Sequence, residues 1–202
     1  MGDPTTEPPS VQKLIRSLGL EPHIEGGYFV ETDRDKQKVA LTSNEDVRAV
    51  QPNGSASPDN KRHLITSIFY CLTPRSPIGA FHRNQSRTVH TLHRGRGTYV
   101  TLTPKDDGVD IETFAVGHDV TKGERLQWIV EGGSYKASYL LPDDDDSNSS
   151  VLLISETVVP GFEFNDHDFL RRDALHDMVG GADFEQLKAL LRENFSSEQY
   201  SN

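Results

Sequence analysis

The stretch TVHTLHRGRGTYVTL, residues 88–102, decides the fold that this sequence predicts. Its two halves are rich in Thr, Val and Tyr, which favour β-strands, and the first half alternates with a period of two. Gly95 and Gly97 lie between the halves, where a tight turn favours residues without a Cβ atom. The stretch therefore predicts two strands, residues 88–93 and 98–102, joined by a hairpin turn.

Short runs of the same kind lie on both sides of this hairpin. Each is rich in Val, Ile, Tyr, Phe or Thr and is bounded by Gly, Pro, Asp or Asn, which favour turns. These additional candidate strands are residues 27–31, 64–72, 111–116, 126–130, 134–140 and 151–159. Eight short strands predict a mainly β protein built as a sandwich or jelly roll.

A helix is predicted on each side of this β region. Ser10 is the expected N-cap of a short amphipathic helix that ends at Gly19 in a left-handed C-cap. Near the other end, Asp183 with Gln186 three residues later is typical of a helix start, and an apolar stripe accompanies it: Phe184, Leu187, Leu190 and Leu191. Both helices are expected to pack against the barrel.

The length of 202 residues suits one domain with peripheral tails. Residues 1–9 hold three prolines among Thr, Glu and Asp and predict a disordered tail. The single domain is expected to span residues 10–195, followed by a tail at 196–202. Residues 33–61 are mostly polar and contain several turn-forming residues, so they predict a long insertion or a lid.

The formal net charge of −10 argues against nucleic acid or an anionic membrane as a partner, because phosphate binding needs clustered Lys and Arg. Cys71 is the one cysteine, so no intramolecular disulfide forms and a reducing compartment is favoured. The sequence has neither an apolar run long enough to span a membrane nor a signal sequence at its start. We therefore expect a cytoplasmic protein.

Five segments together resemble the cupin superfamily and, within it, the small RmlC-like family catalogued as domain of unknown function 985. They are PHIEGGYF at 22–29 with Glu31 and Thr32 close behind, TSIFY at 66–70, FHR at 81–83, LQWIV at 126–130 before Gly132-Gly133, and TVVPGFEF at 157–164. The match covers roughly residues 11–170. It implies a cupin jelly-roll β-barrel whose pocket holds a small organic molecule, and it implies a homodimer, since similar cupins usually pair.

Many cupins hold a divalent metal with three His and one Glu, and the resemblance assigns these four positions to His82, Asn84, Thr88 and Lys136. Only His82 is an ordinary ligand for such an ion, and the Lys136 ammonium would repel it. The sequence therefore predicts no tightly bound metal and no other cofactor. A weak divalent metal site using His82 and His90 stays open on ligand count.

The same positions predict an acid/base site instead. His90 lies two residues after Thr88 and is expected to face the barrel interior with it. His82, His90 and Lys136 form the predicted catalytic set, because an imidazole accepts or donates a proton near neutral pH and a buried ammonium stabilises an oxyanion. The alternative interpretation is structural, with the histidines buried in the barrel wall and the lysine extending outward.

Seven residues near the predicted barrel mouth or on the strands that lead to Lys136 are candidate substrate-binding residues: His23, Glu25, Tyr28, Asn84, Thr88, Gln127 and Tyr135. The remaining histidines are expected in loops or facing outward: His63, His93, His118, His167 and His176.

Three functions fit these predictions. The first is a metal-independent isomerase, epimerase, dehydratase or cyclase, hence an isomerase or lyase, that acts on a small oxygenated metabolite. The resemblance supports it, because the sugar-nucleotide epimerase cupins are metal-free acid/base enzymes. The second is a divalent-metal dioxygenase or decarboxylase of the usual cupin type. The third is a barrel that binds a small molecule without converting it.

Overall fold

The computed structural model describes residues 3–41, 61–142 and 150–192. Most of the predicted insertion at 33–61 and the predicted tail at 196–202 therefore lie outside the described residues.

Short strands make up most of the described chain. In chain order they are β1 (Glu21–Pro22), β2 (Tyr28–Arg34), β3 (Lys38–Ala40), β4 (Lys61–His63), β5 (Thr66–Leu72), β6 (Ile78–Asn84), β7 (Arg87–Arg94), β8 (Gly97–Lys105), β9 (Gly108–Val116), β10 (Gln127–Val130), β11 (Tyr135–Leu140), β12 (Leu152–Val159) and β13 (His167–Phe169). Every candidate strand of the sequence analysis has a counterpart here, with bounds that differ by a few residues.

Two antiparallel sheets build the barrel. One has six strands in the order β1-β2-β5-β12-β7-β10, and the other has five in the order β13-β6-β11-β8-β9. Strands that are distant in sequence are neighbours in both sheets, as in a jelly roll. The short pair β3-β4 forms a separate two-stranded sheet. The mainly β jelly-roll prediction is confirmed, but the predicted hairpin of residues 88–93 and 98–102 is wrong. β7 lies in the six-stranded sheet and β8 in the five-stranded sheet, so the turn at Gly95 connects the two sheets.

The barrel interior is filled by alternate residues of the strands. On β7, Thr88, His90 and Leu92 are buried while the residues between them are more exposed, as the period of two requires. An apolar and aromatic core lies beside this row and includes Tyr70, Tyr99, Trp128, Leu152 and Ile154. The interior of the barrel is therefore a packed core with polar groups embedded in it.

Helix α1 (Pro9–Leu18) covers part of the outside of the six-stranded sheet. Val11 and Ile15 pack there against Tyr28 and Cys71. The prediction of Ser10 as N-cap is wrong, because Pro8 occupies that position and two prolines start the helix. Gly19 ends the helix in the left-handed conformation, with φ 66°, as predicted.

Two helices, α2 (Arg172–Val179) and α3 (Gly181–Leu187), cover the five-stranded sheet, where one was predicted. Their apolar residues pack with Phe81, Leu102 and Leu191 outside the barrel. Asp183 is not the N-cap, because Gly180 holds that position and Asp183 lies within α3. Among the described residues, no helix is long and apolar enough to cross a membrane.

Residues 3–8 lie beside the barrel, although residues 1–9 were expected to form a disordered tail. A short 3-10 helix spans Pro4–Thr6, and the following Glu7 is buried. The Thr73 hydroxyl donates to Glu7 Oε1 at 2.6 Å, and the Tyr28 hydroxyl donates to the same atom at 3.4 Å. These hydrogen bonds fasten the segment to β2 and to the end of β5.

Candidate active site

A cavity of about 320 Å³ opens into the barrel between the two sheets. It is lined by His23, Glu25, Phe29, Glu31, Arg34, Thr66, Ile68, Asn84, Glu156, Val158, Phe162 and Phe164. This volume lies at the small end of ligand pockets, which run from about 300 to 1,000 Å³. Its wall combines apolar side chains with two buried carboxylates, Glu25 and Glu156.

A tight turn places the first carboxylate. Glu25 precedes Gly26 and Gly27, whose φ values of 100° and 67° favour glycine. A Cβ atom on Gly27 would lie 2.6 Å from the Cys71 carbonyl oxygen, so the turn packs directly on β5. The turn brings the chain back over the barrel mouth and directs the Glu25 side chain inward, where it is 7% exposed.

Three histidines surround the Glu25 carboxylate. His167 Nε2 donates to Oε1 at 2.8 Å, and His82 Nε2 and His23 Nδ1 lie 3.3 and 3.4 Å from Oε2. The rings of His82 and His167 stack with their centroids 5.4 Å apart. These residues come from β6, β13 and the turn before β2, so the barrel fold itself gathers them.

The proton positions in this group follow from the hydrogen bonds. His82 Nδ1 lies 2.8 Å from the Ala80 carbonyl oxygen, which only accepts, so Nδ1 carries the hydrogen. Burial lowers the pKa of His82 to about 3, so the ring is neutral at neutral pH. Its Nε2 lone pair therefore faces the Glu25 carboxylate.

Glu25 itself is ionised. Burial alone would raise its pKa, but the three imidazoles around the carboxylate, of which His167 donates a hydrogen bond, bring the pKa well below the ordinary value. Glu25 Oε2 and His82 Nε2 are both acceptors 3.3 Å apart, so a proton taken up by either atom is shared with the other.

The second carboxylate is held by a lysine. Lys136 Nζ on β11 donates to Glu156 Oε2 on β12 at 2.5 Å and to His90 Nε2 on β7 at 2.9 Å. His90 is fully buried and stacks on Trp128 with ring centroids 5.2 Å apart. The three polar side chains therefore form one buried group across both sheets.

Charge pairing decides the protonation of this group. Burial opposes ionisation of Glu156, but Lys136 and His90 outweigh it and lower the carboxyl pKa below its ordinary value. Burial and the adjacent Lys136 ammonium both lower the pKa of His90. Lys136 and Glu156 therefore form an ion pair beside a neutral imidazole.

Asn84 presents an unsatisfied amide to the cavity. The residue is 8% exposed, and its Oδ1 is buried without a hydrogen-bond partner in the described part of the chain. A buried polar atom of this kind costs free energy unless a ligand or water pairs with it.

The predicted site residues separate into two layers. His23, Glu25 and Asn84 line the cavity. The predicted catalytic residues His82, His90 and Lys136 are buried behind the two carboxylates and do not line it. Thr88 is likewise buried in β7 without lining the cavity.

Three predicted substrate-binding residues lie elsewhere. Tyr28 faces outward from β2 into the core beneath α1, because β2 alternates in the opposite sense. Gln127 is exposed and its amide donates to the Thr91 hydroxyl on the outer sheet surface. Tyr135 packs beneath the C-terminal helices, where its hydroxyl donates to Asp168. None of these three residues lines the cavity.

Three residues at or beside the cavity were not predicted as site residues: Glu156, Arg34 and His167. Glu156 carries a recognisable signal, since it is a lone acid within the apolar strand β12 and lies directly opposite His90. His167, expected in a loop or facing outward, contacts Glu25 across 142 residues of sequence. No local pattern specifies a contact of that separation.

The four positions where cupins commonly hold a metal do not fit one here. His82 is the single imidazole among them, and Lys136 places an ammonium in the interior, paired with Glu156. Within residues 3–41, 61–142 and 150–192, no three His, Cys, Asp or Glu side chains are placed to ligate one ion. The donor set suits proton binding better than a divalent cation.

Comparison with known proteins identifies a matching family model, a relative in sequence and relatives in structure. Residues 12–170 match the model of the family described as "Cupin superfamily (DUF985)". The uncharacterized protein YML079W of Saccharomyces cerevisiae is 46% identical over 180 residues, which cover 88% of this chain and 84% of the yeast protein. A hypothetical protein from Leishmania major has a similar structure, with a TM-score of 0.69, 28% identity and coverage of 90% and 96% of the two chains. The protein SO0799 from Shewanella oneidensis has the same fold, with a TM-score of 0.67, 24% identity and coverage of 89% and 95%.

Proposed function

This chain belongs to the cupin superfamily, in the family described as DUF985, and we propose that it is a metal-independent acid/base enzyme of the isomerase, epimerase, dehydratase or cyclase type. Its substrate is a small oxygenated molecule bound in the barrel cavity. The observation that carries this proposal is Glu25, an ionised carboxylate on the cavity wall with the His82 lone pair 3.3 Å behind it.

Glu25 is the proposed base. It removes a proton from a carbon next to a carbonyl group of the substrate, the C–H electron pair forms the enolate double bond, and the carbonyl oxygen takes the negative charge. The proton then lies between Glu25 Oε2 and His82 Nε2. Its return to the other face or to another atom gives an epimer or an isomer. Its transfer to a β-hydroxyl lets that group leave as water, and the enolate electron pair then forms the double bond of the dehydrated product.

The enolate oxygen needs hydrogen-bond donors, and two side chains of the cavity supply them. The Glu25 backbone N–H donates to His23 Nδ1 at 3.3 Å, so Nδ1 is the acceptor and Nε2 is the nitrogen that can donate to the substrate. The Asn84 amide nitrogen is a second donor on the same cavity wall. Both residues are proposed to contact the substrate.

His90 and Lys136 are assigned a different role from the one predicted. Neither lines the cavity, and both contact Glu156. Lys136 keeps Glu156 ionised, so that this carboxylate accepts a proton or a hydroxyl hydrogen bond from the substrate. His90 and Lys136 are therefore positioning residues, and Glu25 and Glu156 touch the reacting molecule.

The test is proton exchange with solvent. The protein is incubated in deuterated water with a mixture of small carbonyl and hydroxy compounds, and mass spectrometry detects products that have gained deuterium at carbon. We expect exchange with the natural protein, its loss in Glu25→Gln, and its retention in Glu31→Gln, which changes a more exposed carboxylate at the same mouth.

Metal dependence is checked in the same assay. Activity that survives dialysis against a chelator agrees with the proposal. Activity that disappears and returns with iron or manganese favours a metal-dependent dioxygenase or decarboxylase instead. Tight binding without deuterium gain points to a non-catalytic binding protein.

A further inference from the structure

We infer that the bound molecule is a neutral, hydroxyl-rich compound without a phosphate or carboxylate group, in the class of unphosphorylated sugars and their simple derivatives. The inference rests on the proposed cavity as the binding site and adds the substrate class. Three independent features of the cavity support it, namely its charge pairing, its unsatisfied polar groups and its aromatic wall.

The cations of the described cavity wall are already paired. Arg34 Nη2 lies 2.7 Å from Glu31 Oε2, and Arg34 Nη1 lies 3.3 Å from Glu163 Oε1. Lys136, behind the wall, is paired with Glu156 at 2.5 Å. A phosphate is recognised by cations that are free to bind it, and a carboxylate substrate would additionally meet Glu25 and Glu156. Anionic ligands are therefore disfavoured.

The groups that remain unsatisfied require a ligand rich in hydrogen-bond donors. Asn84 Oδ1 is a buried acceptor without a partner in the described chain, and the Asn84 amide is more than nine-tenths buried at the cavity. Glu25 and Glu156 add acceptor oxygens at the same wall. Hydroxyl groups suit this wall, because each donates to a carboxylate or amide oxygen and also accepts from the Asn84 amide nitrogen.

Another part of the cavity wall is apolar and aromatic. Phe162 and Phe164 lie edge to face with ring centroids 5.2 Å apart, and Phe29 meets His23 at 4.4 Å. Phe164 is 69% exposed, which is unusual for a side chain of its size and places an aromatic face at the mouth. A sugar ring has hydroxyls at its edge and C–H groups on its faces. It can therefore form hydrogen bonds with the polar lining residues and apolar contacts with the aromatic ones.

Ligand-observed NMR tests this class directly. The full-length protein is mixed separately with D-glucose, D-mannose, D-fructose and L-rhamnose, and then with the matched anions glucose 6-phosphate, fructose 6-phosphate and D-glucuronate. D-glucosamine supplies a cationic member. We expect at least one neutral sugar to bind and its phosphorylated counterpart to bind at least about tenfold more weakly. Binding of the anions alone, or of the amine alone, or of none of these compounds overturns the inference.

Variants locate the binding. Asn84→Leu removes the amide from the cavity and is expected to weaken binding of the neutral sugar about tenfold. Gln127→Leu is the matched control, since it removes an amide from the outer surface, and it is expected to leave binding unchanged. Thermal melting verifies that both proteins fold, and Asn84→Ala replaces the leucine variant if its bulk prevents folding. Unchanged sugar affinity in a folded Asn84 variant contradicts the inference.

The outcomes separate the substrate class from the proposed reaction. A neutral sugar that binds but gains no deuterium supports the class and refutes the acid/base enzyme. Deuterium gain confined to phosphorylated compounds supports the enzyme and refutes the class.

Discussion

The two carboxylates of the cavity are stabilised in different ways. Glu25 is surrounded by imidazoles, whose nitrogens can share a proton with it, whereas Glu156 is paired with the charge of Lys136. One group is therefore suited to moving a proton and the other to remaining ionised. The two groups lie close together in the barrel, since Lys136 on β11 is directly opposite His82 on β6. The identity of the residue at each of these positions therefore decides how each carboxylate is stabilised.

The ion pair predicts a large stability effect at one residue. Lys136 is 2% exposed, so Lys136→Met leaves the Glu156 carboxylate buried without its countercharge. We expect the free energy of unfolding to fall by about 3–5 kcal/mol, measured by urea denaturation.

The double variant Lys136→Met/Glu156→Gln is the control for this effect. Its amide carries no charge and donates to His90 Nε2, so much of the lost stability returns. If the double variant is as unstable as Lys136→Met alone, uncompensated charge is not the cause.

Buried histidines predict that stability falls in acid. The pKa of His82 drops from 6.5 in the unfolded chain to about 3 in the fold, so between these values the unfolded state binds the extra proton. Stability is complete above pH 6.5 and decreases as the pH falls, with a slope of up to about 1.4 kcal/mol per pH unit from this group. The lowered pKa values of Glu25 and Glu156 add a loss of the same sign below pH 4.5.

Denaturation at several pH values checks this dependence. His82→Asn retains a donor for the Ala80 carbonyl but binds no proton, so its stability changes less between pH 7 and pH 5 than that of the natural protein. His176→Asn alters an exposed histidine and leaves the slope unchanged. Equal slopes in the natural protein and in His82→Asn would exclude His82 as the source.

At the scale of the elements, two glycines in turns between the sheets allow backbone strain to be compared with steric clash. Gly95 and Gly133 have almost equal φ values of 81° and 83°, so alanine at either position adopts a strained left-handed conformation. A Cβ atom on Gly133 meets nothing within 4 Å, whereas one on Gly95 would lie 1.5 Å from the Val151 carbonyl oxygen.

We therefore expect Gly133→Ala to lower the free energy of unfolding by about 1–2 kcal/mol and Gly95→Ala to lower it by more than about 4 kcal/mol. The turn between β7 and β8 must move away from the residues before β12 to accommodate the methyl group in the second variant. Similar melting temperatures for the two variants would show that the contact with Val151 relaxes freely.

Some strands were predicted from the sequence and others were not. The predicted strands have a pattern within their own residues, whereas the others depend on contacts with distant parts of the chain. The alternation in residues 88–93 was sufficient to predict β7, whose alternate side chains face the core. β8 was predicted from its Thr, Val and Tyr content, and its first six residues are buried on both faces. Strand β6 was missed, since Pro77 and Gly79 interrupt its pattern. Gly79 is required by packing instead, as a Cβ atom there would lie 2.6 Å from the Tyr70 hydroxyl oxygen.

The candidate site was likewise predicted in part, where the signal was local in sequence. Motif spacing placed His82 and Lys136 in the barrel, and both are buried there. Motif spacing did not predict that Glu25 and Glu156 lie between these residues and the cavity. The contacts of Glu25 with His82 and of Glu156 with Lys136 join segments that are far apart in sequence. Tyr28 and Tyr135 pack outside the barrel, on the faces of β2 and β11 opposite to those of Phe29 and Lys136, because successive side chains of a strand face opposite sides.

At the scale of the whole molecule, the outer surface of the six-stranded sheet has an uncharged face. Ile129, Val89, Thr157 and Ser67 form one cross-strand row from β10 to β5, and Ile129 is 45% exposed. Two copies of a chain with net charge −10 repel each other, so an uncharged face is where they can meet with least electrostatic cost. β10 is also an edge strand of that sheet. We propose this face as the contact of a homodimer.

Light scattering tests this proposal, with twice the 22.5 kDa chain mass as the expected result. Ile129→Lys places a charge in the centre of the contact on both copies at once, because a twofold interface repeats each residue, and we expect the mass to fall to that of one chain. Val120→Lys is the matched control, since Val120 is 57% exposed on a turn away from the sheet face, and it should leave the mass unchanged. A mass of one chain for the natural protein at micromolar concentration would contradict the proposed dimer. The proposed binding site would be unaffected, because every residue described around the cavity comes from a single copy.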